Sequence, residues 1–374
     1  KKDEGMSQKK TLFRIIYKFH IYAGLFVAFH FAILSLSGLP LLFKDEIQRN
    51  PKSTKQEILE NRKHFAEKYD QALTNLRQTY PNDRPLDIYP DESNVQIIQA
   101  RLGLNGATKV KGARIVDLDF NSGKEFTQNA APGAAFFNWA LTLHSDLFMG
   151  ANGQLYIGCV GLVYVLMLLS GFFIYGRFMK GRSFGNLRKA RIPKLADLHK
   201  YFGLVSFAWG IIVGISGMLL AFNPIFTKQF QENNLKHLIA QYQHVQDTGE
   251  KDAPFRDIIN SAFNNKPDSV IWYIVFPGME RGLAGHYLVL VHGTTLLTQN
   301  LSEYLVINSK TAKLVEVIKL PVLMQSALIS TPVHFANYGG IFLKIIWALF
   351  ALCSLAVVVF GVVVFSLKRR MHHA

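Results

Sequence analysis

The chain has 374 residues, 49% of them hydrophobic, and a formal net charge of +15. That length suits two or three domains. The charge excludes a nucleic-acid surface as its reason, because the basic residues cluster beside the ends of apolar runs and lack interleaved stacking aromatics.

Charged side chains are missing from four long stretches. No Asp, Glu, Lys or Arg occurs between Lys18 and Lys44, Asp146 and Arg177, Lys200 and Lys228, or Lys344 and Lys368. Each stretch exceeds the roughly 20 residues that cross a bilayer as a helix. Four transmembrane helices are therefore expected. The first lacks a small-residue cleavage site and is too long for a secretory leader, so it is expected to stay in the membrane. Lys1–Gly5 precede Met6 and are set aside.

In chain order, the pattern predicts a first membrane helix over 11–43 and a polar segment over 44–135. The polar segment contains a helix near Phe65–Tyr80, stopped by Pro81. Alternating stretches from Val95 and from Arg114, with a turn at Asn121-Ser-Gly123, read as strands. An interfacial helix with Trp139 at its boundary, then a second membrane helix, fill 136–178. A basic loop covers 179–197 and a third membrane helix 198–222. A second polar segment, 223–321, repeats the first with a helix near Phe255–Phe263 and strands from Val270, Gly285 and Glu303. An interfacial stretch broken by Pro332 and a fourth membrane helix occupy 322–370.

Basic residues flank one side of this alternation: Lys9, Lys10, Arg14 and Lys18; then Arg177, Lys180, Arg182, Arg188, Lys189, Arg191 and Lys194; then Lys368, Arg369 and Arg370. The positive-inside rule makes that side the cytoplasm. Both termini are then cytoplasmic, and both polar segments lie outside.

The chain repeats itself. His20, Tyr22, Gly24 and Leu25 recur as His199, Tyr201, Gly203 and Leu204, and Ser37-Gly38 recurs as Ser216-Gly217 at the same spacing. At a second spacing His144 meets His334 and Gly171 meets Gly361. Such repeats set architecture. Here the expected fold is a membrane α-helical protein of four helices in two pseudo-symmetric pairs, with two outer α+β modules. A pseudo-two-fold axis along the membrane normal would bring His20 to His199 near the inner face and His144 to His334 near the outer face.

An imidazole inside a membrane needs a partner, and neutral imidazole is the commonest metal ligand. Two imidazoles from separate helices, with no acidic or thiolate ligand nearby, suit the axial positions of a b-type haem better than zinc, which wants four ligands. Gly24 and Gly203 lie one turn beyond their histidines, on the same face. They either leave room for a flat macrocycle or let helices approach. Helix packing is the expected role of Gly38, Gly171, Gly217 and Gly361.

His30 breaks the repeat, because Trp209 stands at its equivalent position. It is either a ligand shared with the outer pair or a hydrogen-bond partner of a haem propionate. His286 and His292, in the outer segment, read as surface histidines, with contact to a substrate metal as the other reading. Cys159 and Cys353 fall in membrane helices as buried thiols, and without Cys-x-x-Cys-His a c-type attachment is excluded. No Gly-x-Gly-x-x-Gly follows a strand, so no dinucleotide site is expected.

The His-x-x-x-Gly-Leu…Ser-Gly pattern, with Leu-His-Ser-Asp-Leu-Phe-x-Gly at 143–150, resembles the PepSY-associated transmembrane proteins. The likeness spans the chain from about residue 10, and both outer segments are similar to PepSY domains. It implies a bacterial inner-membrane protein that holds haem b, two groups here, through His20, His30, His144, His199 and His334. It further implies electron transfer across the membrane to a ferric siderophore or other ferric chelate in the periplasm, fed by a cytoplasmic donor or a quinol. The chain departs from the pattern after His334, where Ala336 stands in place of the acidic residue seen at Asp146. Two other classes stay open: a non-enzymatic sensor or peptidase-regulating protein, and a transporter. The lack of charge inside the spans weakens the transporter.

Overall fold

The computed structural model describes residues 2–48, 62–90, 97–125, 132–178, 186–244, 251–295, 298 and 300–373. Val95 and Gln96, the start of one expected strand, and Lys180 and Arg182 of the basic loop lie outside these residues. The chain divides into two compact units. One comprises 1–47, 133–224 and 330–374; the other comprises 48–132 and 225–329.

The first unit is helical. Helix α1 (Lys2–Leu42) carries Pro40 in its last turn, where the missing N–H gives up one bond of the helix ladder, and α2 (Lys44–Gln48) follows directly. Helices α3 (Arg62–Thr79), of the second unit, and α4 (Ala134–Asp146) come next in the chain. Between α4 and α5 (Gly150–Phe178) the backbone turns through left-handed φ at Leu147, Phe148 and Gly150. Gly153 permits the closeness of that turn, since a Cβ there would lie 1.7 Å from the Asp146 carbonyl oxygen. Helix α6 (Arg191–Val205) is separated from α7 (Phe207–Phe230) at Ser206. The Ser206 hydroxyl donates back to the Phe202 carbonyl, a bond that competes with the helix ladder. The third membrane helix, expected as one piece, is thus broken at this serine.

A π-turn over Gln231–Leu235 leads into α8 (Lys236–Tyr242). After α9 (Phe255–Asn265) and the strands come α10 (Val322–His334) and α11 (Gly340–His373). Among the described residues four helices are long and apolar enough to cross a membrane: Lys10–Leu42, Gly150–Gly176, Phe207–Tyr242 and Gly340–Met371. Within the helical unit α1 packs on α4, α5 and α11, and α6 packs on α11. Large apolar side chains such as Phe29, Leu36, Phe172 and Leu349 point outward. A surface of that kind is stable against lipid tails.

The second unit is one seven-stranded antiparallel sheet. Its strands are β1 (Arg84–Pro90), β2 (Ile97–Gly103), β3 (Arg114–Asp119), β4 (Ser269–Val275), β5 (His286–Gly293), β6 (Ser302–Asn308) and β7 (Leu314–Lys319). The order is β3-β2-β1-β4-β5-β6-β7. The two outer segments, each read from sequence as its own module, therefore share one sheet. They join where Asp87 and Ile88 of β1 face Val275 and Ile274 of β4. Pro85 sits beside a register shift in β1, a place where a missing donor costs least. Helices α3 and α9 cover one face and bury Tyr69, Leu73, Ile258 and Ile259 against Ile98, Leu118, Ile274 and Leu305.

His286 and His292 are not surface residues. Both are buried on β5, His286 against the Tyr242 ring and His292 stacked on Trp272 at 5.0 Å.

Candidate functional site: two imidazole pairs on glycine seats

The helical unit brings the four repeated histidines together as two pairs. The His20 and His199 ring centres are 6.3 Å apart with planes at 73°. The His144 and His334 rings are 6.1 Å apart at 53°. Along α1, Gly38, which touches His144, is 18 residues beyond His20. At 1.5 Å per residue that separates the two layers by about 27 Å.

Each ring lies on a glycine of a facing helix. A Cβ on Gly38 would meet His144 Cε1 at 2.7 Å, one on Gly171 would meet His20 at 2.7 Å, one on Gly217 would meet His334 at 2.9 Å, and one on Gly361 would meet His199 at 3.0 Å. These four glycines, expected to serve helix packing, instead leave the space that the imidazoles occupy.

The carbonyl one turn before the glycine orients the ring. His144 Nδ1 donates to Leu34 O at 2.8 Å, His20 Nδ1 to Met167 O at 3.1 Å, and His199 Nδ1 to Val357 O at 2.9 Å. The serine just before the glycine adds an acceptor. Ser170 Oγ is 3.1 Å from His20 Nδ1, Ser216 Oγ 3.1 Å from His334 Nδ1 and Ser37 Oγ 3.4 Å from His144 Nδ1. Each of these hydroxyls gives its own proton to a carbonyl of its helix. The fourth seat has Phe360 in the serine position and relies on the carbonyl alone.

A carbonyl cannot donate, so Nδ1 carries the proton and Nε2 is left as a lone pair. An oriented imidazole with Nδ1–H bound to a carbonyl is the arrangement of a metal-ligating histidine. The repeated Ser-Gly of 37–38 and 216–217 was a legible trace of the seats. Which way those glycines face was not legible.

His30 joins neither pair. Its Nδ1 donates to Phe26 O at 2.8 Å and its Nε2 accepts from Tyr156 Oη at 2.6 Å. Gly24 has nothing within 4 Å of where its Cβ would be, and Gly203 has only Val357 Cγ1 at 3.9 Å. Open space therefore lies one turn beyond each histidine of the inner pair. Among the described residues no group of three or more His, Cys, Asp or Glu side chains is placed to hold a metal ion.

The model of the PepSY-associated TM region matches residues 17–369. The chain belongs to the PepSY-associated transmembrane family. None of the curated proteins matches it. The family match takes in both units, with every histidine, glycine and serine of the four seats inside it.

Proposed function

We propose that this PepSY-associated transmembrane protein is a haem b electron conduit of the bacterial inner membrane, which reduces a ferric chelate such as a ferric siderophore on the periplasmic side. The observation that carries this is the spacing of the imidazole pairs. A metal held between two imidazoles at about 2.0 Å from each would put their ring centres roughly 6 Å apart. Both pairs match that separation.

Three further features fit the group. Locked Nδ1–H donors leave Nε2 for iron. The gaps at Gly24 and Gly203 accommodate a flat ring beside the inner pair. The buried indole N–H groups of Trp209 and Trp347 and the Asp146 Oδ1 atom have no protein partner, and buried polar atoms seek one. Among the described residues neither pair has a third His, Cys, Asp or Glu ligand, whereas structural zinc takes four.

In this reading His20 and His199 hold an inner haem, and His144 and His334 an outer one. Bound haem supplies one-electron transfer at iron. The chain supplies the rest: carbonyls at Leu34, Met167 and Val357 fix the rings, the seats keep the helices at one separation, and the apolar spans exclude water. The basic flanks of the spans support cytoplasmic termini. The sheet unit lies in the periplasm beside the chelate, which loses affinity once its iron is reduced because Fe(II) binds hard oxygen donors less tightly.

The test is the visible spectrum of detergent-purified protein expressed with haem supply. The expected result is a reducible b-type spectrum with two haems per chain, one lost in His20→Ala/His199→Ala. A colourless protein overturns the proposal, and full haem content in that double variant overturns the pairing.

A further inference from the structure

His30 is where the duplicated scaffold stops being symmetric, and the structure gives it surroundings of its own. A pocket of about 460 Å³ opens beside it, walled by Phe29, Ile33, Leu34, Met149, Tyr156 and Ile157. The pocket contains no charged side chain, and its polar groups are His30, Tyr156 and Asn152. Phe29 at its rim is 67% exposed, so the mouth faces the lipid.

The equivalent place in the other half is occupied differently. Trp209 replaces His30, is buried and stacks on Phe350 at 6.3 Å, and Ile346 stands where Tyr156 would be. An apolar pocket with one polar pair at its wall suits a ligand that is mostly apolar and has one hydroxyl to place.

The hydrogen-bond directions say what that hydroxyl meets. Because His30 Nδ1–H is given to the Phe26 carbonyl, Nε2 must accept the Tyr156 proton. Tyr156 Oη then keeps lone pairs for an incoming O–H. A proton given to Tyr156 moves on to His30 Nε2, so the pair is a relay with a base at its end. The pocket also touches the electron-transfer layer. Leu34 lines it, and the Leu34 carbonyl is the atom that orients His144.

We propose that this pocket binds a membrane quinol, the electron donor of the protein. The assignment rests on the electron-transfer reading above. Oxidation breaks both quinol O–H bonds. Two electrons leave singly toward the His144–His334 layer and reduce two equivalents of ferric chelate to the ferrous state. One proton passes through Tyr156 to His30, both protons end in water, and the quinol becomes a quinone.

The test titrates a decyl-tailed ubiquinol anaerobically into the dithionite-reduced full chain in lipid nanodiscs and follows binding by calorimetry. We expect saturable single-site binding, weakened about tenfold in Tyr156→Phe, which is the loss of one hydrogen bond. Ile33→Trp, which fills the pocket, should abolish it. In a second arm the same quinol reduces the chromophore at least tenfold more slowly in Tyr156→Phe, while dithionite reduces variant and wild type equally. Absence of saturable binding, as when lipid tails fill the pocket, overturns the proposal, and so does binding unchanged in Tyr156→Phe and Ile33→Trp. Pocket-dependent quinol binding to a protein without chromophore upholds the site and overturns the electron-transfer reading instead.

Discussion

Gly171 and His20 are in direct contact: a single methyl group on Gly171 would come within 2.7 Å of His20 Cε1. The same relationship holds at Gly38, Gly217 and Gly361. Each histidine is positioned by the absence of a side chain on the helix opposite. Rigid seats of this kind are what a bound metal needs, because ligand orientation governs its affinity.

Gly171→Ala is therefore expected to displace the His20 ring and to destabilise the helical unit by about 1–3 kcal/mol through overpacking. Gly24→Ala meets nothing within 4 Å and should leave stability unchanged or slightly raised, since alanine favours a helix over glycine. It should still lower chromophore content if a flat ring fills that space. Thermal unfolding and absorbance per chain, measured on both variants, separate the two effects.

Lys344 is 3% exposed yet charged. It donates to both Glu46 carboxylate oxygens, at 2.9 and 3.0 Å, with Asp45 at 4.0 Å. Glu46 and Asp45 are about a third exposed, so they keep water when the lysine is removed. Glu46→Ala should cost about 3 kcal/mol by leaving a buried ammonium poorly paired, and Lys344→Met less than about 1 kcal/mol. The order of the two melting temperatures checks this, and equal losses would refute it.

In the sheet unit the Asp87 carboxylate is fully buried. It accepts from Arg101 Nε at 2.8 Å and from Tyr273 Oη at 2.8 Å. Arg101 also donates to the Tyr273 hydroxyl. Burial, with the Asp87 charge beside it, pushes the Tyr273 hydroxyl well above its ordinary range, so it stays protonated and donating. Arg101→Met should destabilise the sheet by about 3 kcal/mol by stranding the carboxylate. Adding Asp87→Asn should recover part of that loss, a coupling measured by a double-mutant cycle in urea.

Asp119 closes the turn after β3. Its carboxylate accepts from Ser122 N at 2.7 Å and Ser122 Oγ at 2.8 Å, and these bonds hold its pKa below the ordinary carboxylate value. A depressed pKa in the folded state gives stability that is present above the unfolded value, about 3.9, and is lost as pH falls through the folded one. Asp119→Ala should be less stable than the native chain at pH 6 by about 1 kcal/mol. The difference should shrink below pH 4. A difference independent of pH would contradict this origin.

Several features were legible without a structure. The four spans stand out because a charge excluded from lipid is excluded residue by residue, along the chain itself. The histidine repeat is equally one-dimensional, and its spacing already pairs His20 with His199 and His144 with His334. The sheet segments were visible as alternation, since period two is a property of the strand alone.

Which segments can cross a membrane and which residues recur is thus written in the order of residues alone. The tertiary structure decided what those residues touch. A glycine looks the same in sequence whether it faces lipid or an imidazole, and only the rotation of α1, α5, α7 and α11 makes Gly38, Gly171, Gly217 and Gly361 into seats. The join of β1 to β4 was invisible because every antiparallel strand offers the same backbone groups to any neighbour. His30 was marked by its broken symmetry, but its partner Tyr156 lies on another helix, 126 residues away, and long-range contact sets that bond.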